Sequence, residues 1–291
     1  MLRTIPPALA LLALTAACGG GVNGASRTLI QNKGSDTLLN VAQAWAEAYS
    51  EIAPTCAVAV SGGGSGTGIS AMINGTVDVA NSSRKMKERE LAAARENGVS
   101  PVEFIVGFDA LAVYVHADNP IESITLEQLA GIYGDGGAIE RWSQMGVTMA
   151  EGGRDEIVRV SRQNNSGTFI YFREAVLGNE GKYKLGSLDM HGSKDVVDLV
   201  ENTPGAIGFS GLAYATEHVK LVPVVSAESG APVAPSVDSA VDRTYPIARP
   251  LLMYTAGQPE GVIAEYLDWI LSDEGQRIIL TKGYAPVRPL K

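Results

Sequence analysis

One stretch decides the fold class: residues 57–70 have the sequence AVAVSGGGSGTGIS. The small and apolar residues at its start predict a short strand, and its glycines predict a turn. A helix is expected to open at Ile69. A strand that enters a helix through a polar, glycine-rich turn is typical of α/β proteins. Free backbone amides at the start of such a helix, together with a serine hydroxyl, are suited to bind an anion.

Polar turns of this kind follow a predicted strand in four places. In chain order they are the first loop (34–37, GSDT), the second loop (62–68, GGGSGTG), the third loop (81–84, NSSR) and the fourth loop (162–168, RQNNSGT). A single such turn is explained at least as well by helix capping, because Ser, Thr, Asp and Asn are good N-caps. Four of them favour a ligand site, since ligands of open α/β sheets bind outside the carboxyl ends of strands.

From Arg27 onward, short apolar runs alternate with helical periods, which predicts a parallel or mixed sheet with helices. Strands are expected at 28–31, 57–60, 77–80, 103–106, 111–115, 157–160 and 206–210, with an extended segment at 245–254. Helices are expected at 38–50, 69–73, 85–97, 125–133, 168–177, 195–202, 260–271 and 274–282. Thr125 is the expected N-cap of its helix, with Gln128 completing a capping box.

The order of these elements predicts two lobes and a chain that crosses between them twice. Residues 112–246 have strands and helices of their own, whereas residues 247–291 are too few to fold alone. We therefore expect a discontinuous first lobe (27–111 plus 247–291) and a second lobe (112–246). Two hinge strands, near Leu111 and Arg249, would join the lobes.

The N-terminus has the pattern of an export signal. A short basic start precedes an apolar stretch from about Ile5 to Ala17, which is shorter than the roughly 20 residues that span a bilayer. Residues 1–17 are thus expected to be a signal peptide. The ending LTAAC (14–18) resembles the lipobox of bacterial lipoproteins, which implies a lipidated Cys18 and a flexible tether over 18–26. A plain secreted protein with a free Cys18 is the alternative.

This N-terminus predicts an exported protein in the periplasm, or a lipoprotein on the outer face of the cytoplasmic or outer membrane. After cleavage at Cys18, the only other cysteine is Cys56, so no intrachain disulfide is expected. Cys56 is expected to be buried between a helix and a strand.

Composition excludes several classes of function. The formal net charge of −9 argues against nucleic-acid binding, so any anion site must be local and built mainly from hydrogen bonds. The histidines His116, His191 and His218 are scattered without the spacing of metal ligands, and we expect neither a metal nor a cofactor. The second loop fails the G-x-S-x-G pattern of a nucleophilic serine at Thr67, so an enzyme is not expected.

Two arginines are candidates for the anion site. Arg162 ends a predicted strand four residues before Ser166, and its guanidinium can fork onto two oxygens of a tetrahedral anion. A surface arginine paired with a nearby acid is the alternative. Arg84 precedes a charged predicted helix, so a solvated helix face explains it equally well.

The four loops occur within a broader resemblance, which extends from about Leu29 to Pro289. Its most specific stretches are GSDT (34–37), SGGGSGTGI (61–69), DVANSSR (78–84) and SRQNNSGTF (161–169). Supporting stretches are LEQLAGIYGDGGAIERW (126–142), NTPGAIGFSG (202–211), YPIARPLLMYT (245–255) and SDEGQRIILTKGYAPV (272–287). At these residues the sequence resembles the phosphate-binding proteins of bacterial high-affinity phosphate ABC transporters.

The resemblance implies a type II periplasmic-binding-protein fold, in which each lobe is a mixed sheet flanked by helices and two hinge strands connect the lobes. It implies that the lobes close on dehydrated phosphate, which the protein then delivers to a membrane permease. A monomer is expected. By position, the resemblance assigns these ligand-binding residues: Ser35, Asp36, Thr37, Ser65, Ser83, Arg84, Arg162, Ser166, Gly167 and Thr168.

Two positions depart from the family pattern. The well-studied branch has an Asp where Ser83 stands here, and that carboxylate accepts the proton of hydrogen phosphate. Asp36 is the candidate for this role in the present chain, with helix capping as its alternative. Asn164 replaces the acid that accompanies the arginine in that branch.

These departures keep other functions open. The ligand could be another oxyanion, such as sulfate or molybdate. An exported phosphate-ester hydrolase using Ser65 or Ser166 is a less favoured alternative, and an adhesive lipoprotein with a vestigial cleft is another.

Overall fold

The structure, a computed structural model, describes residues 27–228 and 230–290. The predicted signal peptide (1–17), Cys18 and the tether (18–26) lie outside the described residues. No helix in the described ranges is both long enough and apolar enough to cross a membrane.

Strands and helices alternate along most of the chain. The strands are β1 (Thr28–Gly34), β2 (Cys56–Ser61), β3 (Val79–Ser82), β4 (Val102–His116), β5 (Ile124–Thr125), β6 (Val158–Arg162), β7 (Leu188–Met190), β8 (Ala206–Gly211), β9 (Val219–Val222), β10 (Val224–Val225) and β11 (Ala248–Thr255). The α-helices are α1 (Asp36–Ile52), α2 (Ser65–Ile73), α3 (Glu88–Glu96), α4 (Leu126–Tyr133), α5 (Gly167–Phe172), α6 (Ser193–Glu201), α7 (Val237–Val241), α8 (Gly261–Leu271) and α9 (Asp273–Thr281). Short 3-10 turns occupy Trp142–Met145 and Leu212–Tyr214, and a π-helical turn at Arg173–Leu177 continues α5.

One curled mixed sheet organises these elements, with the order β2-β1-β3-β11-β4-β8-β6-β7. We call β2, β1, β3, β11 and the beginning of β4 the first sheet half. In it, β1 pairs in parallel with β2 and β3, and β11 is antiparallel to β3 and β4. The end of β4, β8, β9, β6 and β7 form the second sheet half. Here β4 is antiparallel to β8 and β9, whereas β6 is parallel to β8 and β7.

Strand β4 belongs to both sheet halves. Two strands flanking residues 107–109 were expected here, and that prediction is wrong, because one continuous strand runs from Val102 to His116. The chain stays extended because β11 pairs along the first part of β4. The pairing continues on both sides of a register shift between Leu251 and Leu252. Long strands that continue from one sheet half into the other are the connections that a two-lobed fold requires.

Each sheet half has its own hydrophobic core. In the first, the apolar face of α1 is buried, and Trp45 packs with Tyr266 of α8 in one cluster. The indole Nε1 of Trp45 donates to the carbonyl oxygen of Gly275 at 2.7 Å, which ties the C-terminal helices to this half. In the second, the rings of Phe172 and Phe209 stack with centroids 3.7 Å apart.

Several local predictions are confirmed. Thr125 Oγ1 accepts from the backbone amide of Gln128 at 3.0 Å, and the Gln128 side chain accepts from the amide of Thr125 at 2.9 Å, which completes the capping box. Cys56 is buried at the start of β2 and is free.

Candidate functional site

Three of the four loops place a helix start at the carboxyl end of a strand. The first loop follows β1 and opens α1 at Asp36, the second follows β2 and opens α2 at Ser65, and the fourth follows β6 and opens α5 at Gly167. The first amides of a helix have no intrahelical acceptor, and the helix dipole makes this end electropositive. Each of these three loops therefore offers donors to an anion.

The third loop differs from this pattern. A helix was expected from Lys85, but α3 begins at Glu88, so the third loop does not enter a helix directly. The backbone amide of Lys87 donates to the Glu90 carboxylate at 2.8 Å, which fixes the helix start at this later position. The third loop thus brings side chains, and not a helix N-terminus, to the other three loops.

The serine hydroxyls of the first three loops meet in one buried cluster. Ser35 Oγ donates to Ser83 Oγ at 3.0 Å, and Ser65 Oγ lies 3.3 Å from Ser83 Oγ. The backbone amide of Ser83 donates to Ser65 Oγ at 3.1 Å. A Cβ atom added at Gly167 would overlap the hydroxyl oxygens of Ser65 and Ser83, so the fourth loop approaches the same cluster closely.

Threonines of the first and fourth loops also meet. Thr37 Oγ1 and Thr168 Oγ1 are 3.1 Å apart, and both residues are buried. Ser166 Oγ accepts from the backbone amide of Thr168 at 3.1 Å and so caps α5. Because a hydroxyl that accepts one bond still has its own hydrogen to donate, Ser166 remains a possible donor.

Arg162 is buried at the end of β6, with only 1% of its surface exposed. Its Nη2 donates to Asp36 Oδ2 at 2.9 Å, and its Nη1 donates to Ser193 Oγ at 2.9 Å. Nη2 also donates to the carbonyl oxygen of His191 at 2.6 Å. Burial lowers the pKa of Arg162 below its usual value, and the neighbouring Asp36 carboxylate opposes that shift. The guanidinium is thereby held in one orientation from several sides.

Asp36 is the first residue of α1, and the N-cap position belongs to Ser35. Its Oδ1 accepts from the backbone amide of Gly63 at 2.9 Å, while its Oδ2 accepts from Arg162. The carboxylate thus connects the first loop to the second and to the fourth. Each carboxylate oxygen has two lone pairs, so both retain acceptor capacity.

Arg84 is buried, with 4% of its surface exposed, and directs its guanidinium to α3. Nη1 and Nη2 donate to the two carboxylate oxygens of Glu90 at 2.8 and 2.7 Å, and Nη1 also donates to the carbonyl oxygen of Lys85 at 2.8 Å. Among the residues that the resemblance assigns to the site, Arg84 is therefore placed in a local ion pair with Glu90.

Sequence reasoning missed two side chains next to the loops. Arg249 of β11 donates from Nη2 to Thr37 Oγ1 at 3.2 Å and to Thr168 Oγ1 at 3.1 Å. Its partner is Asp109 of β4, with Nη2 to Oδ2 at 2.8 Å. Arg249 was expected only to mark a hinge strand. No local pattern links it to Thr37, which is 212 residues away in sequence.

The charges of this region are balanced locally. Three buried arginines each form an ion pair with a carboxylate: Arg84 with Glu90, Arg162 with Asp36, and Arg249 with Asp109. An anion at the loops would therefore be held by hydroxyl and amide dipoles, with the arginines adding donors more than net charge. The described residues contain no group of three or more His, Cys, Asp or Glu placed to hold a metal ion.

Comparison with known proteins shows similarity along most of the chain. Residues 21–274 match the family described as a PBP superfamily domain. The phosphate-binding protein PstS of Pseudomonas aeruginosa is 33% identical over 269 residues, which cover 89% of this chain and 83% of that protein. The phosphate-binding protein PstS of Bacillus subtilis is 30% identical over 260 residues, covering 89% of this chain and 80% of that protein.

Solved structures show the same similarity. A putative phosphate ABC transporter substrate-binding protein from Clostridium perfringens, with bound phosphate, has a TM-score of 0.79 and 27% identity, and covers 90% of this chain and 100% of its own. An ABC-type phosphate transport receptor from Vibrio cholerae has a TM-score of 0.69 and 27% identity, and covers 89% of this chain and 100% of its own.

Proposed function

The chain belongs to the PBP superfamily and, within it, to the family of the phosphate-binding proteins PstS, and from this membership we propose that it is the receptor of a phosphate ABC transporter. It captures inorganic phosphate outside the cytoplasm, in a cleft between two lobes, and delivers it to the membrane permease. The resemblance in the loop sequences is thus confirmed at the level of the family.

A single observation carries the proposal: hydroxyls from all four loops lie in two hydrogen-bonded groups, and the first loop contributes a residue to each group. Ser35, Ser65 and Ser83 form one cluster, and Thr37 meets Thr168. Such an array of hydroxyls, with free amides at three helix starts, can replace the hydration shell of a tetrahedral anion.

We assign the ligand set as the loop sequences indicate. When phosphate binds, the hydroxyls of Ser35, Thr37, Ser65, Ser83, Ser166 and Thr168 rotate to donate their hydrogens to it, Gly167 donates its amide, and Arg162 donates from its guanidinium. Arg84 contributes at the edge of the site, because Glu90 already occupies both of its terminal nitrogens.

Asp36 provides the selectivity for hydrogen phosphate in this proposal. A carboxylate accepts hydrogen bonds and repels a ligand oxygen that has no proton, and sulfate has none at pH 7. Asp36 lies at the start of α1, between the Gly63 amide and Arg162, and both of its oxygens keep acceptor capacity.

Capture requires that the two lobes move, and we propose that they are residues 27–111 with 247–291, and residues 112–246. Contacts between the loops cross this division: the amide of Gly66 donates to the carbonyl oxygen of Asn165 at 3.1 Å, and Arg162 reaches Asp36. Strand β4 runs from one lobe into the other, and the chain crosses back immediately before β11, so these two crossings form the hinge. Phosphate shifts the population toward the closed form because the complete set of donors exists only there.

We propose a receptor without catalytic activity. Hydrolysis of a phosphate ester by Ser65 or Ser166 would need a base at the hydroxyl. Ser65 Oγ contacts Ser83, and Ser166 Oγ contacts the amide of Thr168, and neither partner can act as a base.

Export and anchoring complete the proposal. Residues 1–17 direct export, Cys18 carries the lipid, and residues 18–26 tether a monomeric receptor to the membrane. Membrane fractionation of the wild type and of the Cys18→Ser variant tests this assignment: loss of the membrane-bound fraction in the variant supports the anchor, and unchanged fractionation contradicts it.

Isothermal titration of the protein with phosphate, sulfate and molybdate tests the function. Phosphate is expected to bind, and the two other anions are expected to bind much more weakly. Arg162→Ala and Ser166→Ala should each weaken phosphate binding, whereas Arg154→Ala, which removes an exposed ion pair with Glu156, should not. Preferential binding of sulfate or molybdate would change the assigned ligand, and turnover of a chromogenic phosphate ester would establish an enzyme.

A further inference from the structure

A buried ion pair connects the hinge strands directly behind the loops. Arg249 of β11 and Asp109 of β4 are register partners, and neither side chain is exposed. Nε and Nη2 of Arg249 both donate to Asp109 Oδ2, at 3.0 and 2.8 Å. Buried ion pairs add little net stability compared with apolar residues of similar volume, because both charges must be desolvated. Stabilisation of the fold therefore explains the presence of this buried pair only weakly.

The Arg249 guanidinium also contacts two threonines of the loops. Besides Asp109, Nη2 donates to the hydroxyl oxygens of Thr37 and Thr168 at 3.2 and 3.1 Å. Thr37 lies in the first turn of α1 and Thr168 in the first turn of α5, so one nitrogen contacts one hydroxyl from each side of the cleft.

The positions of the threonine hydroxyl hydrogens follow from which of these groups can donate and which can accept. Arginine can only donate, so both threonine oxygens are acceptors toward Nη2, whose two hydrogens serve three acceptors by sharing one of them. Each threonine has one hydroxyl hydrogen, and at most one of the two can lie between oxygens that are 3.1 Å apart. At least one threonine hydrogen therefore remains for another acceptor. The guanidinium fixes both oxygens while it leaves this donor available.

We propose that Arg249 is a positioning residue of the phosphate site, which couples closure of the hinge to binding by orienting the hydroxyls of Thr37 and Thr168 toward the bound anion. This inference rests on the proposed function, because it assigns a role in phosphate binding to a residue outside the four loops. Thr37 follows a strand of the first sheet half and Thr168 follows a strand of the second, so the contact of Arg249 to both threonines is complete only when the two halves meet. The open form loses this arrangement, and phosphate dissociates from it.

The expected effect is on affinity and on release. A hydrogen bond to a charged group contributes substantially to the free energy of binding. Loss of the oriented threonine donor should therefore weaken phosphate binding by about 10- to 100-fold. Because the contact stabilises the closed form, most of the change should appear as faster dissociation.

Removing Arg249 alone would leave Asp109 buried without its cation, and burial raises the pKa of that carboxyl from 3.8 against the effect of Arg249. The test therefore uses two changes that keep the charges balanced. The double variant Arg249→Met with Asp109→Asn removes the pair as a unit. Arg249→Lys keeps the positive charge but replaces the planar fork with a single ammonium.

The readouts separate a positioning role from a structural one. Urea unfolding without phosphate measures stability, titration calorimetry measures the phosphate Kd, and stopped-flow dilution measures dissociation. Both variants should unfold near the wild-type midpoint in the absence of phosphate, yet bind phosphate about 10- to 100-fold more weakly. Arg243→Met is the control, because this exposed guanidinium lies 5.5 Å above the Phe108 ring on the same chain segment.

A mutant cycle tests whether Arg249 acts on phosphate binding through Thr37 and Thr168. This test does not require the double variant Arg249→Met with Asp109→Asn to fold. Thr37→Val and Thr168→Val should each weaken phosphate binding in the wild type and have much smaller effects in Arg249→Lys, because they act through one arrangement. Full additivity would overturn the inference, as would a wild-type Kd in Arg249→Lys. Failure of the wild type to bind phosphate would instead overturn the proposed function itself.

Discussion

Asp36 and Arg162 form an ion pair across the cleft, with Arg162 Nη2 2.9 Å from Asp36 Oδ2, although the two residues are 126 positions apart in sequence. Asp36 begins a helix of the first sheet half, and Arg162 ends a strand of the second. The pair therefore links the two sides of the cleft and also fixes the carboxylate and the guanidinium that the proposed function assigns to phosphate. Its two members have separable roles, because one accepts hydrogen bonds and the other donates them.

Asp36→Asn should reduce discrimination between phosphate and sulfate. Asparagine retains an oxygen that can accept from the Gly63 amide, but it no longer repels a fully ionised oxyanion. The ratio of the sulfate Kd to the phosphate Kd should fall by about tenfold or more, which corresponds to roughly 1.4 kcal/mol. Titration calorimetry with both anions measures this ratio.

Asp78→Asn is the matched control for this prediction. Asp78 also accepts from a backbone amide, that of Gln31 at 2.7 Å, on the outer part of the first sheet half. Its variant should keep the wild-type ratio. If Asp36→Asn also kept that ratio, Asp36 would have no part in selectivity.

Gly167→Ala should impair binding without preventing folding. The added methyl group would overlap the hydroxyl oxygens of Ser65 and Ser83. Relief of that overlap must separate the fourth loop from the other loops, which should weaken phosphate binding by about 10- to 100-fold. Gly257→Ala is the control, because a Cβ atom there meets nothing within 4 Å. Wild-type affinity in Gly167→Ala would show that the loops do not need to approach this closely.

The parts of the site that the sequence predicts are local. Each loop is a strand, a turn and the residues after it, so its identity depends on neighbours along the chain. The helices that this local pattern predicts after three of the loops are present, and they begin at Asp36, Ser65 and Gly167, one to four residues before the expected starts. The convergence of the first three loops follows from a general rule for α/β sheets, because β1, β2 and β3 are parallel and their carboxyl ends share one edge. The fourth loop follows β6 of the other sheet half, so its approach to the other three depends on how the two halves face each other.

The parts that the sequence does not predict depend on register between distant strands. Arg249 meets Asp109 because β11 pairs with β4 in one register, across 140 positions of sequence. The start of α3 was misplaced for a different reason. Residues 85–90 have helical composition, but Arg84 forks onto Glu90, whose carboxylate also caps the amide of Lys87, and these contacts delay the helix to Glu88.

Glu90→Gln should remove part of the acid sensitivity of the fold. Burial opposes ionisation of Glu90, but the hydrogen bonds from Arg84 and from the Lys87 amide outweigh it, and its pKa is lowered from 4.5. A carboxyl whose pKa is lower in the folded state stabilises the protein above its unfolded pKa. This contribution disappears as the pH falls through the folded-state pKa.

The measurement is the free energy of unfolding in urea from pH 7 down to pH 3. Glu90→Gln should be less stable than the wild type at pH 7, and the difference should shrink as the pH falls below about 4.5 and through the lower folded-state pKa of Glu90. Glu88→Gln is the control, since Glu88 is 80% exposed in its pair with Arg95. A constant difference across this range would show that the charge of Glu90 is not the stabilising feature.

Asn165→Ala should accelerate phosphate release. The side-chain amide of Asn165 donates to the Gly63 carbonyl oxygen at 2.9 Å. The backbone carbonyl oxygen of Asn165 accepts from the Gly66 amide at 3.1 Å, so this residue joins the second and fourth loops. Alanine keeps the backbone bond and loses the side-chain bond, which is worth about 1 kcal/mol. Dissociation should become about fivefold faster with little change in association, because the bond exists only in the closed form.

Asn202→Ala provides the comparison, because the Asn202 amide also donates to a backbone carbonyl, that of Asp198 at 2.8 Å, but far from the loops at the end of α6. Its release rate in a stopped-flow assay should equal that of the wild type. Equal dissociation rates for Asn165→Ala and the wild type would mean that the hydrogen bond between Asn165 and Gly63 breaks after phosphate has left. That bond would then not limit the rate of release. Slower association in Asn165→Ala would place the bond in the open form, where it would prepare the fourth loop before phosphate arrives.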